Sequence, residues 1–339
     1  MPGLVLIARD ALEYSLGTEL ADRFRSAGVQ VTVYDKRVPS AMGGGFREKY
    51  IASKRTLVVM VRGRREFQTC KPSAHYQLPL VSGCPGLCEY CYLNTNLGHA
   101  PHVRVYVNTD EIFRQAEDYV RVRQPDTTIF EGSATSDPVA VETWTGSLAK
   151  AVAFFAATEG AGFRFATKYT DIEGLLAVEH RGKTEIRFSI NCEHVINAYE
   201  HGAPPLERRI KAAADAVRAG YPIGFLIAPI FQFDGWREQY GELLATLAAV
   251  LPAEAFGASE KPLTFELITH RFTSRAKSII EQAYPASSLP MDETERRFKY
   301  GQFGYGKYVY PNEAMEEMRR FFEDGVARAF PGAGILYFV

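Results

Sequence analysis

The chain has 339 residues, of which 46 % are hydrophobic and 23 % charged, and its formal net charge is −1. This length allows one large α/β domain or two smaller ones with a sizeable core. The neutral balance excludes a global positive field, so any binding of nucleic acid must depend on a local patch. No apolar run approaches the roughly 18 residues of a membrane span, and we expect no membrane partner.

The first residues and the cysteine usage indicate the compartment. A short apolar run near the start lacks a preceding basic region and is followed at once by acidic residues, which favours a strand over a signal peptide. Five cysteines, three of them clustered, do not resemble a secreted disulfide framework. We expect a reducing, cytoplasmic location (the spore core in a spore-forming source) and a metal or cluster site.

The N-terminal part has the pattern of a small α/β unit. Three apolar runs predict strands at 3–8, 29–34 and 55–62. A segment with helical spacing separates the first two and ends at Gly28. We therefore predict an N-terminal α/β extension over residues 1–75.

From about residue 76 onward, strand signals alternate with helix signals. The first strands of this series are "HYQLPLVSG" and "HVRVYVN", and later helices include "TWTGSLAKAVAFFAAT". Such alternation implies a parallel sheet with crossover helices. About six units predict an α/β fold with a partial (β/α)6-type TIM barrel over 76–285, with its chemistry at the C-terminal ends of the strands.

The C-terminal part, 286–339, has a different composition. Residues 295–308 are basic, aromatic and glycine-rich, which predicts a β-hairpin with its turn near Gly304 to Gly306. A helix and the short strand "GILYFV" are expected to follow and close the chain.

Three cysteines lie together in "SGCPGLCEYCYL", namely Cys84, Cys88 and Cys91, with the spacing C-x3-C-x2-C. A structural zinc site takes four ligands, and neither the remaining thiols nor a histidine stands at a suitable spacing. A [4Fe–4S] cluster is usually held by four thiolates, so three would leave one iron open for another ligand. A zinc site or a group of buried thiols is the alternative.

This spacing in a strand-to-helix loop near the start of a partial barrel resembles the radical S-adenosylmethionine superfamily. There the open iron binds the amino and carboxylate groups of S-adenosylmethionine. An electron from the cluster then cleaves it to methionine and a 5′-deoxyadenosyl radical. The resemblance thus implies two cofactors, a [4Fe–4S] cluster and S-adenosylmethionine, with the protein positioning them.

The flanking segments narrow the resemblance to one family. They include "KPSAHYQLPLVSGCPGLCEYCYLNTNLG", "FEGSATSD", "FATKY", "RFSIN", "FELITHRFT" and "GKYVY", and the likeness extends over nearly the whole chain. Together they resemble the spore photoproduct lyases. That resemblance implies a DNA repair lyase that directly reverses a UV-induced thymine dimer, 5-thyminyl-5,6-dihydrothymine.

The resemblance also implies a radical mechanism. The 5′-deoxyadenosyl radical takes a hydrogen from C6 of the lesion, the methylene bridge breaks, and a protein thiol gives a hydrogen atom to the thymine radical. Tyrosines return the thiyl radical to the cofactor, and Tyr90 and Tyr92 match that relay. The simpler interpretation of both tyrosines is aromatic packing beside the cysteine loop.

Four residues match the family's cofactor-binding positions: Lys168, Ser136, Ser189 and Asn191. We expect them at strand ends, where a lysine can pair with the methionyl carboxylate and serines can bond polar groups. Asn191 would share a face with Ser189. A salt bridge at the barrel rim is the alternative role for Lys168. Two more carboxylates are candidates at strand ends, Asp137 and Glu266.

The chain departs from the family pattern at the hydrogen donor. Ala134 stands where the family usually has cysteine, and alanine has no suitable hydrogen to transfer. Cys192 is expected to be a packing residue, since free cysteine is commonly buried. Cys70, beside Lys71 in a polar stretch, is therefore predicted to be the substitute donor.

A local patch is predicted to bind DNA at the C-terminal hairpin, because basic groups hold phosphates and aromatic rings stack on bases. Its residues are Arg296, Lys299, Gln302, Phe303, Tyr305 and Lys307. The expected partners are DNA with the thymine lesion and an electron donor such as flavodoxin or ferredoxin. A solvated hairpin is the alternative, and His270 is expected to be a core histidine.

Two other functions fit the same residues. One is a radical enzyme of this fold that acts on another substrate, which Ala134 favours. The other is a non-enzymatic, metal-bearing nucleic-acid-binding protein.

Overall fold

The structure, a computed structural model, describes residues 1–39, 43–98, 100–252, 262–300, 304 and 306–339. The chain forms two compact units. The first comprises Met1–Gly86 and Asn96–Glu185, and the second comprises Leu87–Thr95 and Ile186–Val339. The division into an extension, a barrel and a C-terminal hairpin segment, at 1–75, 76–285 and 286–339, stays a prediction.

The strands are, in chain order, β1 Leu4–Ala8, β2 Val31–Tyr34, β3 Thr56–Met60, β4 Thr69–Cys70, β5 Ala74–Gln77, β6 Val81–Ser82, β7 Leu87–Cys88, β8 Val103–Tyr106, β9 Thr128–Glu131, β10 Ala161–Thr167, β11 Thr184–Ile190, β12 Glu200–His201, β13 Ile223–Ile230, β14 Thr264–Thr269, β15 Arg297–Tyr300, β16 Gly306–Val309 and β17 Gly334–Phe338.

The helices are α1 Ser15–Ser26, α2 Phe46–Lys54, α3 Leu93–Asn96, α4 Thr109–Arg123, α5 Val139–Thr145, α6 Ser147–Ala157, α7 Glu173–Leu176, α8 Glu193–Tyr199, α9 Leu206–Arg218, α10 Trp236–Val250, α11 Ser274–Ala283 and α12 Asn312–Ala329. A 3-10 helix, Arg9–Glu13, follows β1. In the described part of the chain, no helix combines the length and apolar character that a membrane crossing requires.

A five-stranded sheet lies in the first unit, with the order β2-β1-β3-β8-β6. Its strands are parallel except for β6, which runs antiparallel to β8. The prediction that "HVRVYVN" begins the barrel is wrong, because β8 pairs with β3 through Leu57↔Val103. Apolar periodicity indicates that a segment is a strand, but it does not indicate which strand pairs with it.

The largest sheet has eight strands, in the order β17-β14-β13-β11-β10-β9-β5-β4, and it forms an open, curled half-barrel. The prediction of a partial TIM-type barrel is confirmed. The strand predicted at the end of the chain, β17, runs parallel to β14 in this sheet. In the second unit, the aromatic pair Phe225 and Phe265, one on each of two neighbouring strands, is buried in the core.

Two local predictions had different outcomes. The segment "TWTGSLAKAVAFFAAT" forms parts of two helices, α5 and α6, because Gly146 between them adopts a left-handed conformation with φ 60°. The C-terminal hairpin is confirmed, since β15 and β16 pair antiparallel with Phe298 opposite Tyr308. The predicted contacts Gln302, Phe303 and Tyr305 lie outside the described residues.

Candidate active site

The cysteine loop begins at a glycine that has no room for a side chain. Gly83 has φ +85°, and a Cβ there would lie 2.4 Å from the carbonyl oxygen of His102. Its N–H donates a hydrogen bond to the Thr135 carbonyl at 2.8 Å, and it forms a parallel bridge with Ser136. Only glycine combines this conformation with such a close approach, so the backbone before Cys84 is tightly held.

A buried lysine binds the first part of the loop. Lys54, at the end of α2, is 1 % exposed, and its ammonium donates to the carbonyls of Cys84 at 3.2 Å and Gly86 at 2.6 Å. The Gly86 N–H points to the Cys84 sulfur at 3.4 Å. Hydrogen bonds to sulfur are among the interactions that set the properties of iron–sulfur sites.

Asp137 organises the end of β10. Its two carboxylate oxygens accept hydrogen bonds from the Thr167 hydroxyl at 2.7 Å and from the Lys168 N–H at 2.8 Å. Lys168 thus directly follows a strand, as predicted. The expectation that Ser136 ends a strand is wrong, because β9 stops at Glu131 and Ser136 lies in the following loop. Its hydroxyl donates to the Gly132 carbonyl at 3.4 Å.

The second part of the loop is held by a strand pair. Cys88 lies in β7 opposite Glu200 of β12, and Cys88 is buried. The Cys91 N–H donates to the Cys88 carbonyl at 3.3 Å. The buried Asn94 amide donates to the carbonyls of Cys88 and Glu89, at 3.3 and 3.0 Å. These bonds close a compact turn around two of the three thiols.

The two predicted relay tyrosines have different environments. The Tyr90 hydroxyl donates to Glu200, and Glu200 forms an ion pair with Arg209 at 2.6 Å in which both side chains are 0 % exposed. Burial and the Glu200 charge raise the pKa of Tyr90 well above its usual value. Tyr92 is 54 % exposed. Tyr90 therefore keeps its phenolic hydrogen in a protected position, whereas Tyr92 is open to solvent.

The predicted cofactor residues of the second unit are bound to other protein groups. Arg209 donates to the Ser189 carbonyl at 3.2 Å, so the β11 end is tied to the Glu200 ion pair. Asn191 is fully buried, and its amide donates to the Pro229 carbonyl at 2.7 Å and accepts from the hydroxyl of Tyr240 at 3.0 Å. Their cofactor roles stay predictions.

Three further predictions concern buried groups. Cys192 is buried as expected, and desolvation raises its pKa to about 11. His270 is a core residue that stacks on Phe231, with 4.5 Å between ring centroids. Glu266 forms a buried ion pair with Arg187 at 2.9 Å. That pair indicates a structural role for Glu266.

The hairpin presents a basic and aromatic surface. Lys299 is exposed, and Tyr300 next to it is 72 % exposed. Desolvation, Arg271 and Lys299 lower the pKa of Lys307. Arg296 differs, because its guanidinium lies 3.6 Å from the Tyr310 ring centroid and donates to two carbonyls, those of His270 and Pro290.

Sequence reasoning missed Lys54, Glu200 and Arg209. The burial of charged side chains at positions far along the chain from the cysteine loop has no local sequence signal. The only hint is that Arg209 lies on the inner face of an amphipathic helix, where a charge is unusual.

The donor set of the loop suits an iron–sulfur cluster. Three thiols within eight positions, with an N–H directed at one sulfur and a buried ammonium on the adjacent carbonyls, provide soft ligands in a rigid, positively charged setting. Among the described residues, no group of three or more His, Cys, Asp or Glu side chains is arranged to hold a single metal ion.

Comparisons with known proteins identify the family. The profile described as "Spore photoproduct lyase" matches residues 1–339. The chain belongs to the spore photoproduct lyase family. Similar relatives named spore photoproduct lyase come from Clostridium acetobutylicum, at 44 % identity over 99 % of this chain and 98 % of the relative, and from Bacillus subtilis, at 42 % over 100 % and 98 %.

Solved structures of spore photoproduct lyases also match over the full length. One is a variant, with one cysteine replaced by alanine and one serine by cysteine, that holds AdoMet and dinucleoside spore photoproduct. It has a TM-score of 0.95 and 44 % identity, and the match covers 100 % of this chain and 99 % of that one. Another is complexed with dinucleoside spore photoproduct, with a TM-score of 0.94, 43 % identity and the same coverage.

Proposed function

We propose that this spore photoproduct lyase family member is a carbon–carbon lyase that repairs the thymine dimer 5-thyminyl-5,6-dihydrothymine in DNA. The observation that carries the proposal is the full-length similarity to lyase structures holding AdoMet and the dinucleoside lesion. The cysteine loop with its three thiols is the local feature that agrees with it.

Two cofactors suit this chain, a [4Fe–4S] cluster on Cys84, Cys88 and Cys91, and S-adenosylmethionine. When bound, they supply a 5′-deoxyadenosyl radical, which the polypeptide alone cannot generate. The residues proposed to bind and orient the methionyl group are Lys168, Ser136, Ser189 and Asn191. The backbone bond from Lys168 to Asp137 supports this role, because it leaves the lysine side chain to extend from the end of β10.

Cys70 is the proposed hydrogen donor to the thymine radical. Its S–H bond breaks as the new C–H bond forms on the thymine methylene carbon, which leaves a thiyl radical on the protein. In the solved double variant, the introduced cysteine precedes the cysteine-to-alanine position by the same number of residues that separates Cys70 from Ala134. That variant therefore reproduces the cysteine and alanine pattern of this chain.

Tyr90 and Tyr92 are the proposed relay that returns a hydrogen atom to the thiyl radical. The contrast between a protected phenol at Tyr90 and an exposed one at Tyr92 supports two separate steps. The exposed hairpin side chains of Lys299 and Tyr300 support contact with DNA phosphates and bases. An electron donor such as flavodoxin or ferredoxin and a cytoplasmic location complete the proposal.

The test is an anaerobic assay on the protein after reconstitution with iron and sulfide and reduction with dithionite. S-adenosylmethionine and a synthetic dinucleotide with the lesion are added, and products are separated by chromatography. Recovery of the thymine dinucleotide is expected. Cleavage of S-adenosylmethionine without repair would contradict the proposal and would support the other candidate, a radical enzyme on another substrate, which Ala134 favours. Zinc without iron in the purified protein would support the non-enzymatic alternative.

Cys70→Ala tests the donor, and Cys192→Ala is its matched control. The first variant should form thymine-derived adducts instead of repaired dinucleotide, because the thymine radical then has no thiol to react with. The second should repair normally, since the Cys192 thiol is buried and its pKa is raised to about 11. Clean repair by Cys70→Ala would exclude Cys70 as the donor.

A further inference from the structure

Cys70 ends a very short strand at the edge of the largest sheet. β4 pairs with β5 through Thr69↔Tyr76 and Cys70↔Ala74, with a shift in register between the two pairs. So few backbone bonds hold a two-residue edge strand weakly. A donor thiol needs tighter control, because a misplacement of about 1 Å can reduce a rate roughly a hundredfold. Side chains must therefore supply the missing restraint.

A buried carboxylate connects the turn after Cys70 with the loop that contains Ala134. Glu131, at the end of β9, accepts a hydrogen bond from the Ser73 hydroxyl at 2.8 Å on one oxygen. Its other oxygen accepts from the N–H and the hydroxyl of Ser133, at 3.0 and 2.5 Å. Ser133 directly precedes Ala134, so one carboxylate holds both segments.

A second set of bonds fixes the same two segments. Arg164 donates to the Ser73 carbonyl at 2.8 Å and pairs with Glu185 at 3.1 Å. The Ala166 N–H donates to the Ser133 hydroxyl at 2.7 Å. Both Ser73 and Ser133 are thus bonded through main-chain and side-chain atoms. The network is buried at its centre, where hydrogen bonds to a charged group are stronger than neutral ones.

We propose that Glu131 is a positioning residue that holds the Cys70 turn against the Ala134 loop, acting through Ser73 and Ser133. It replaces, in this chain, the direct placement that a cysteine at position 134 would have. This inference rests on the proposed function, in which Cys70 is the hydrogen donor. It assigns a role to a carboxylate that reaches neither cofactor nor lesion.

Disulfide cross-linking tests the placement without iron, S-adenosylmethionine or lesion. In Ala134→Cys, mild oxidation should join Cys70 to the introduced cysteine, since a disulfide requires Cβ atoms roughly 3.5–4.5 Å apart. Peptide mass spectrometry identifies the bond among the other thiols. Adding Ser73→Ala or Glu131→Ala should slow its formation about tenfold or more. Adding Ser73→Thr or Glu131→Gln should largely restore the rate, because both keep hydrogen-bonding groups in place.

Thr158→Val in the Ala134→Cys background is the matched control, because it removes a hydroxyl bond of 2.8 Å in the same unit, to Phe154. Its cross-linking rate should not change. No cross-link in Ala134→Cys, or equal rates with and without Ser73→Ala, would overturn the proposal and leave the lyase assignment untouched. In the loaded enzyme with native Ala134, Ser73→Ala should raise the ratio of thymine adducts to repaired dinucleotide while cleavage of S-adenosylmethionine stays constant.

Discussion

The two parts of the cysteine loop are stabilised by different means. Around Cys84 the restraints act on the backbone: a glycine without space for a methyl group, and an ammonium on two carbonyls. Around Cys88 and Cys91 they act through side chains: a strand pair, a buried amide and an ion pair that binds Tyr90.

The difference corresponds to what each part must do. Cys84 has only to present a thiol, and rigid backbone geometry is sufficient for that. The second part also carries Tyr90 and Tyr92, whose hydroxyls must be oriented, and side-chain bonds orient hydroxyls better than backbone packing does. The variants below remove one support at a time, which shows whether the two parts are independent.

Arg209→Met should have the largest effect. It leaves the fully buried Glu200 carboxylate without its guanidinium, which costs about 3–5 kcal/mol of unfolding free energy. Urea denaturation measures this. The double variant Arg209→Met with Glu200→Gln should lose less than the single one, because no buried charge then remains.

Arg218→Met, on the same helix, is the control for Arg209→Met. Its ion pair with Asp215 is exposed and should contribute less than about 1 kcal/mol. Equal losses for the two arginine variants would show that the buried pair does not specifically support the second part of the loop.

Gly83→Ala should be next, with a loss of about 3 kcal/mol from a left-handed φ and a clash with the His102 carbonyl. Thermal unfolding measures it, and Gly174→Ala is the control, since a methyl group there meets nothing within 4 Å. If the two parts of the loop are independent, the Tyr90 bond to Glu200 persists in Gly83→Ala. A vibrational signature of the phenol in the iron-free protein would reveal its loss.

The sequence predicted what local patterns encode and missed what depends on distant contacts. The three thiols, the hairpin and the burial of Cys192 were all visible from spacing or residue type. Glu200 and Arg209 were not, because their role exists only when β12 pairs with β7, more than a hundred residues away along the chain. The placement of β8 was wrong for the same reason: a strand pattern does not specify its neighbours.

Lys54→Met should cost about 2 kcal/mol, because the carbonyls of Cys84 and Gly86 lose a buried donor. Lys49→Met, on the exposed face of the same helix, should be nearly neutral. Chemical denaturation of both iron-free variants makes the comparison. If Lys54→Met were as stable as the parent, the ammonium would not be a support of the first part of the loop.

His270 gives the smallest and most gradual effect, through pH. Burial, together with Arg296, lowers its pKa to about 3, so the folded protein keeps the ring neutral. Between pH 3 and about 6.5, the unfolded chain binds a proton on this ring that the folded chain does not. Its contribution to stability is therefore complete above pH 6.5 and is lost as the pH falls, by at most about 1.4 kcal/mol per pH unit.

His270→Phe should remove this part of the acid sensitivity while retaining the stack on Phe231. Urea midpoints at several pH values between 4 and 7 give the two slopes. The slope of the variant should be smaller by up to one proton. Because His270 lies in the second unit and away from the Gly83 and Lys54 restraints, its change should add to theirs without coupling. Parallel slopes for parent and variant would mean that the ring is protonated equally in the folded and unfolded chains.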